Sequence, residues 1–138
     1  MREIEIYIDG ASKGNPGPSA IGVVICKDGQ TIKNISQFIG NTTNNAAEYT
    51  ALIYGLQEGL LLKAETIKIN TDSQLLFRQL KGVYKVRNTN IAGLYNQAMH
   101  LISGFKNISV KNIPREENSG ADKLATQAIK KELKKRGY

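Results

Sequence analysis

The chain has a single cysteine, Cys26, a single histidine, His100, and no run of about eighteen apolar residues. A lone thiol makes neither an internal disulfide nor a cysteine-rich zinc site, so a reducing compartment and a fold held by packing are expected. Without the apolar run no membrane span is expected, and Arg2 and Glu3 lead directly into a charged alternating stretch rather than a secretory signal. A cytoplasmic protein with no membrane partner, working as a monomer, is the resulting expectation. No internal repeat or low-complexity linker interrupts the 138 residues, a length that suits one domain over 1–138. With 41% hydrophobic and 22% charged residues, the composition excludes a disordered, collagen-like or coiled-coil chain.

Acidic residues are missing from one long stretch. From Ser73 through Arg115 there are seven basic residues (Arg78, Lys81, Lys85, Arg87, Lys106, Lys111, Arg115) and no Asp or Glu. The remainder balances 12 basic against 12 acidic residues, so this stretch carries the whole net charge of +7. A polyanion such as nucleic acid fits it, because each neutralised phosphate releases counterions. A solvated surface kept for solubility is the competing reading.

Ile4, Ile6 and Ile8 alternate with polar residues and predict a half-buried strand that ends at Asp9. Gly10 to Ser19, rich in Gly and Pro, reads as a loop that something can approach closely. Ala20–Lys27 and Gln30–Ile39 flank Asp28-Gly29, a turn pair suited to a hairpin, which completes three antiparallel strands. The period then changes to 3.6 from Asn45 to about Leu62, with Ala46, Tyr49, Ile53, Leu56 and Leu60 on one stripe. A strand over Thr66–Thr71, a helix opening at Asp72, a helix near Ile91–Ile102, a strand over Ile108–Ile113 and a closing helix from Ala121 follow. This order predicts an α/β fold: a five-stranded mixed sheet, with the first, fourth and fifth strands parallel and helices on both faces.

In such sheets ligands collect at the carboxyl ends of strands, where Asp9 and Asp72 both stand. Only four aspartates occur, and Asp28 belongs to the hairpin turn. Each remaining carboxylate has a plain structural use. Asp9-Gly10 starts a turn, Asp72 caps a helix, and Asn45/Glu48 and Ser119/Asp122 have capping-box spacing. Brought together by the predicted sheet, Asp9, Glu48, Asp72 and Asp122 would repel unless cations neutralise them. Hard oxygen ligands without a Cys or His cluster select Mg²⁺ or Mn²⁺, and a pair of such ions suits phosphodiester hydrolysis. Asn44, Asn45 and Glu48 share one face at a helix start that attracts phosphate, with Thr42 and Thr43 as further donors or plain caps.

The sequence resembles the type 1 ribonucleases H. Five blocks carry the likeness in order: Tyr7-Ile8-Asp9-Gly10-Ala11-Ser12, Gly14 to Pro18, Thr42 to Glu48, Thr71-Asp72-Ser73-Gln74, and Asn118 through Ala125. The resemblance implies the ribonuclease H-like fold and a metal-dependent endonuclease. Such an enzyme cuts the RNA strand of an RNA/DNA hybrid and leaves 5′-phosphate and 3′-hydroxyl ends. By the same resemblance, Asp9, Glu48, Asp72 and Asp122 hold two Mg²⁺ (or Mn²⁺) ions. Asn15, Asn44 and Asn45 reach the minor groove, Thr43 holds a DNA-strand phosphate, and Gln74 meets the RNA near the cut. Gly10, Ala11 and Ser12 suit contacts to the 2′-hydroxyls that mark RNA.

Many relatives carry a histidine in the loop before the last aspartate, and here that loop, Ile113 to Ala121, has none. The chain therefore resembles a histidine-lacking branch, in which Arg115, Glu116 and Glu117 are the candidates to assist. The longer basic protrusion of some relatives is absent, which leaves Lys81, Tyr84, Lys85 and Arg87 to grip the duplex. His100 falls inside a predicted helix and is given no role. Two other readings share this site: a duplex-binding module without catalysis, and a nuclease that also cuts double-stranded RNA.

Overall fold

The computed structural model describes residues 2–137. The elements are β1 (Glu3–Ser12), β2 (Gly17–Lys27), β3 (Gln30–Thr42), α1 (Asn44–Leu61), β4 (Thr66–Thr71), α2 (Gln74–Leu80), α3 (Thr89–Ile102) and β5 (Asn107–Asn112), then a 3-10 turn (Arg115–Asn118) and α4 (Ser119–Lys135). The five strands form one sheet in the order β3-β2-β1-β4-β5. β1 to β3 are antiparallel neighbours, and β4 and β5 run parallel to β1, as the sequence predicts. No described helix is long and apolar enough to cross a membrane.

The core lies between the sheet and α1. Ile4, Ile6 and Ile8 of β1, Ile21, Val23 and Ile25 of β2, and Ile67 and Ile69 of β4 are all buried against Tyr49, Leu52 and Leu56 of α1. Each such side chain contributes about 1.5–3 kcal/mol of burial. The stripe predicted for α1 is broader than expected, since Ala47, Ala51, Leu52, Gly55 and Gly59 are buried as well. α1 is packed by the sheet on one side and by α3 on another, with Tyr49 and Tyr95 meeting edge to face at 6.4 Å between ring centroids.

Two glycines set how the helices meet the sheet. A Cβ on Gly10 would lie 2.3 Å from the carbonyl carbon of Ala47, so α1 sits directly on β1 there. A Cβ on Gly22 would lie 2.0 Å from the carbonyl oxygen of Ala121, so α4 sits directly on β2. Gly10 pairs with Ile21 and Gly22 with Asp9, and neighbouring residues of a strand face opposite ways. Hence α1 and α4 cover opposite faces.

Several boundaries differ from the sequence reading. The expected loop from Gly10 to Ser19 is mostly strand, because pairing continues through Gly10↔Ile21, Ala11↔Ala20 and Ser12↔Ser19. Only residues 13–16 turn, with Gly14 at φ 93°, where a side chain would be strained. Asp28 and Gly29 both have positive φ, as the predicted hairpin turn requires. β3 runs on to Thr42, and α3 starts at Thr89, capped by Asn88 Oδ1, which accepts from the amides of Asn90 and Ile91. The segment read as a loop at 118–120 is helical, because the 3-10 turn runs straight into α4.

Candidate active site

Parallel pairing of Ile8 with Thr71 places the residues that follow, Asp9 and Asp72, side by side at the carboxyl ends of adjacent strands. α1 enters over Gly10 and brings Glu48 to the same point. One carboxylate oxygen each from Asp9, Glu48 and Asp72 lies within 4.8 Å of the others. Asp9 and Glu48 are buried, while Asp72 is partly open to solvent. Asp122, from the first turn of α4, is the fourth carboxylate of the sequence prediction. It approaches Asp9 but stands outside the tight group of three, with its side chain 36% exposed.

None of these carboxylates caps a helix. Ser73, not Asp72, is the N-cap of α2, and its hydroxyl accepts from the Leu76 amide at 3.1 Å. Thr43 caps α1 by accepting from Ala46 at 3.2 Å, so the Asn45/Glu48 capping box does not form. The Ser119/Asp122 box is also absent, since helix α4 is preceded by Asn118 with no side-chain cap bond. Smaller neighbours cap α1 and α2, the start of α4 is left without a side-chain cap, and the carboxylates are free of capping.

The electrostatics of the cluster follow from this crowding. Burial, then the charge of Asp72, pushes the Asp9 carboxyl up to about 7. Glu48 is held well above the ordinary carboxylate range by burial first and by Asp9 second, with the Gly10 amide opposing the rise through a hydrogen bond. Glu48 Oε2 is buried and has no hydrogen-bond partner among the described residues. An orphaned carboxylate oxygen beside two more carboxylates is stable only when protonated or when a cation sits against it. The all-oxygen donor set fits a hard divalent ion such as Mg²⁺ or Mn²⁺.

Around the cluster the predicted contact residues divide. Asn15 Oδ1 accepts from the Asn44 amide at 2.9 Å, which ties the β1–β2 turn to the start of α1 and leaves both side chains exposed. Asn45 lies beside them with a buried, unpartnered Oδ1, and Gln74 is exposed on the first turn of α2. Ser12 is already engaged, since its one hydroxyl hydrogen is shared between the carbonyls of Gly14 and Thr42 and binds the hairpin to the end of β3. Gly10 lies directly under the Ala47–Glu48 peptide of α1, and Ala11 packs toward α4. The Thr43 hydroxyl acts as a cap.

In the loop before Asp122, Arg115, Glu116 and Glu117 are exposed. Arg115 Nη2 lies 4.0 Å from Asp122 Oδ1, and it is the one member of the three within ion-pair reach of a cluster carboxylate. Of the basic residues between α2 and α3, Lys85 and Arg87 are exposed and pair with no carboxylate among the described residues. Tyr84 is held by Arg78, which donates to its hydroxyl and lies 5.1 Å from its ring centre. His100 is exposed in the last turn of α3, remote in sequence from every site element. Asn118 received no role from sequence reasoning. Its side chain donates to Asp72, and nothing in its spacing signals a contact that only the tertiary fold makes.

Comparison with known proteins agrees with this geometry. A family described as reverse transcriptase-like matches residues 7–128. Ribonuclease HI of Halobacterium salinarum is 38% identical over 127 residues, covering 91% of this chain and 64% of that protein. The bifunctional protein Rv2228c of Mycobacterium tuberculosis is 40% identical over 92% of this chain but only 35% of its own length. The chain thus spans about two thirds and one third of these relatives. The crystal structure of ribonuclease H1 from H. salinarum superposes with a TM-score of 0.91 at 37% identity, over 94% of this chain and 98% of that one. LC11-RNase H1, solved in complex with an RNA/DNA hybrid, superposes with a TM-score of 0.88 at 40% identity, over 94% and 99% of the two chains. With fold, cluster and relatives in agreement, this chain belongs to the type 1 ribonuclease H family.

Proposed function

We propose that the protein hydrolyses the RNA strand of RNA/DNA hybrids endonucleolytically, leaving 5′-phosphate and 3′-hydroxyl ends. The observation that carries this reading is the convergence of Asp9, Glu48 and Asp72 within 4.8 Å, two of them buried, at the end of the sheet. A duplex-binding surface alone gains nothing from burying carboxylates that repel one another and the phosphates. The solved complex of LC11-RNase H1 with a hybrid supports the substrate class.

Asp9, Glu48 and Asp72, with Asp122 beside Asp9, would hold two Mg²⁺ ions, with Mn²⁺ as the alternative. Bound there, the pair supplies Lewis acidity for water attack on phosphorus and neutralises charge on the departing 3′-oxygen. The chain's own residues do the rest. Asn15, Asn44 and Asn45 present amides to the minor groove, and Gln74 faces the RNA strand from α2. Thr43, at the start of α1, meets a phosphate of the DNA strand. Lys85 and Arg87 neutralise further phosphates.

Purified protein is incubated with a labelled hybrid, an RNA duplex and a DNA duplex in Mg²⁺, Mn²⁺ or chelator, beside Asp9→Asn. The expected outcome is metal-dependent cutting of the hybrid that Asp9→Asn loses. A hybrid that is bound but stays uncut with either metal establishes the binding module instead. Cutting of the RNA duplex at a comparable rate extends the substrate to double-stranded RNA.

A further inference from the structure

We propose that Asn118 is a positioning residue that sets the separation of Asp9 and Asp72 by clamping both strand ends with one amide, an inference that rests on the metal-dependent reading above. Asn118 is 1% exposed and ends the 3-10 turn that leads into α4. Its Nδ2 donates to the Ile8 carbonyl at 2.9 Å and to Asp72 Oδ2 at 3.1 Å. Both partners only accept, so the amide nitrogen must face them, and both of its hydrogens are used.

Each bond acts on a different strand of the cluster. Ile8 is the residue before Asp9, so the first bond holds the β1 backbone where the buried carboxylate leaves it. The second holds the carboxylate of Asp72, which is partly exposed and otherwise free to swing into solvent. A third element is joined by the chain itself, because Asp122 lies one turn into α4 beyond Asn118. One side chain thus ties β1, β4 and the start of α4, which carry three of the four carboxylates.

The simplest alternative use of an Asn before a helix is capping, and Asn118 does not cap, because its Oδ1 makes no hydrogen bond among the described residues. The amide is turned inward to the strand ends at the expense of the helix terminus. Neutral donation to Asp72 also lowers the repulsion between Asp72 and Asp9 without adding charge.

The test uses Asn118→Ala and Asn118→Ser, the latter keeping one donor and losing less volume. Mn²⁺ and Mg²⁺ are titrated calorimetrically into each metal-free protein without nucleic acid, and kcat and KM for a hybrid are measured over a range of Mg²⁺. Removing a group that orients a metal ligand costs about 10–100-fold in metal affinity or activity. Asn118→Ala is therefore expected to bind both ions that much more weakly, with lower kcat partly restored by excess Mg²⁺ and an unchanged KM for the hybrid, and Asn118→Ser to fall between. A folded variant of either kind with wild-type metal affinity overturns the inference while wild-type cutting leaves the function intact. If the wild-type protein neither binds the ions nor cuts the hybrid, the function and this inference fall together.

Discussion

Gly10 and Ala47 touch backbone to backbone: a Cβ on Gly10 would lie 2.3 Å from the Ala47 carbonyl carbon and 2.4 Å from the Glu48 nitrogen. This contact determines where the buried Glu48 carboxylate stands relative to Asp9. Neither atom can yield as a flexible side chain would, so the whole of α1 must move to admit a methyl group.

Gly10→Ala is expected to lower stability by about 1–3 kcal/mol, the usual cost of overpacking, and to lose most hybrid cutting. Denaturant unfolding and a cutting assay on the same sample check it. Wild-type activity in a folded Gly10→Ala protein would show that the helix position is not what sets the cluster.

Asp9 ties stability to pH when no divalent cation is present. Its carboxyl titrates at about 7 in the folded protein against 3.8 when unconstrained, so between these values the folded state holds the extra proton. Stability contributed by the protonated group is therefore present below about pH 4 and is lost as pH rises toward 7. Asp9→Asn removes this loss and is expected to be more stable than the wild type at pH 8 in chelator, by about 2–4 kcal/mol, with the difference vanishing near pH 4. Excess Mg²⁺ should stabilise the wild type more than the variant. Thermal melts at the two pH values, with and without the ion, measure both effects.

Lys85 and Arg87 are exposed and unpaired with acid among the described residues, which is what phosphate contacts require. Replacing both by Ala should flatten the slope of log affinity against log salt for a hybrid by about 0.9 per lost contact and leave kcat at saturating hybrid unchanged. An unaltered slope would take both residues off the duplex.

Among the three loop candidates Arg115, Glu116 and Glu117, Arg115 is the one that pairs with a cluster carboxylate, 4.0 Å from Asp122, and its side chain is 82% exposed. An exposed pair of this kind contributes no more than about 1 kcal/mol, so Arg115→Ala is expected to slow cutting about fivefold or less. Glu116→Ala and Glu117→Ala complete the comparison. Unchanged rates in all three mean that Arg115, Glu116 and Glu117 take no part in the chemistry.

The local sequence determined most of the secondary structure and the chemistry available to it. Alternating isoleucines specify β1 because burial of one sheet face repeats every second residue, and Asp28-Gly29 specifies a tight hairpin because its backbone needs two positive φ values. The mixed five-stranded sheet and the convergence of Asp9, Glu48 and Asp72 were legible from the order of the elements, together with the resemblance carried by five ordered motifs, whereas Asp122 stands outside the group of three. Tertiary structure alone decided which of several uses each polar residue takes. Asp72, Glu48 and Asp122 each stood where a helix cap was equally consistent with sequence, and the caps went to Ser73 and Thr43 or were left unfilled. Ser12 turned to backbone carbonyls, and Asn118 turned from its helix to Asp72. Caps and turns depend on neighbours within a few residues, whereas these choices depend on strand register and on how closely two helices approach the sheet. That approach is set by glycines whose importance shows only when the facing backbone is in place.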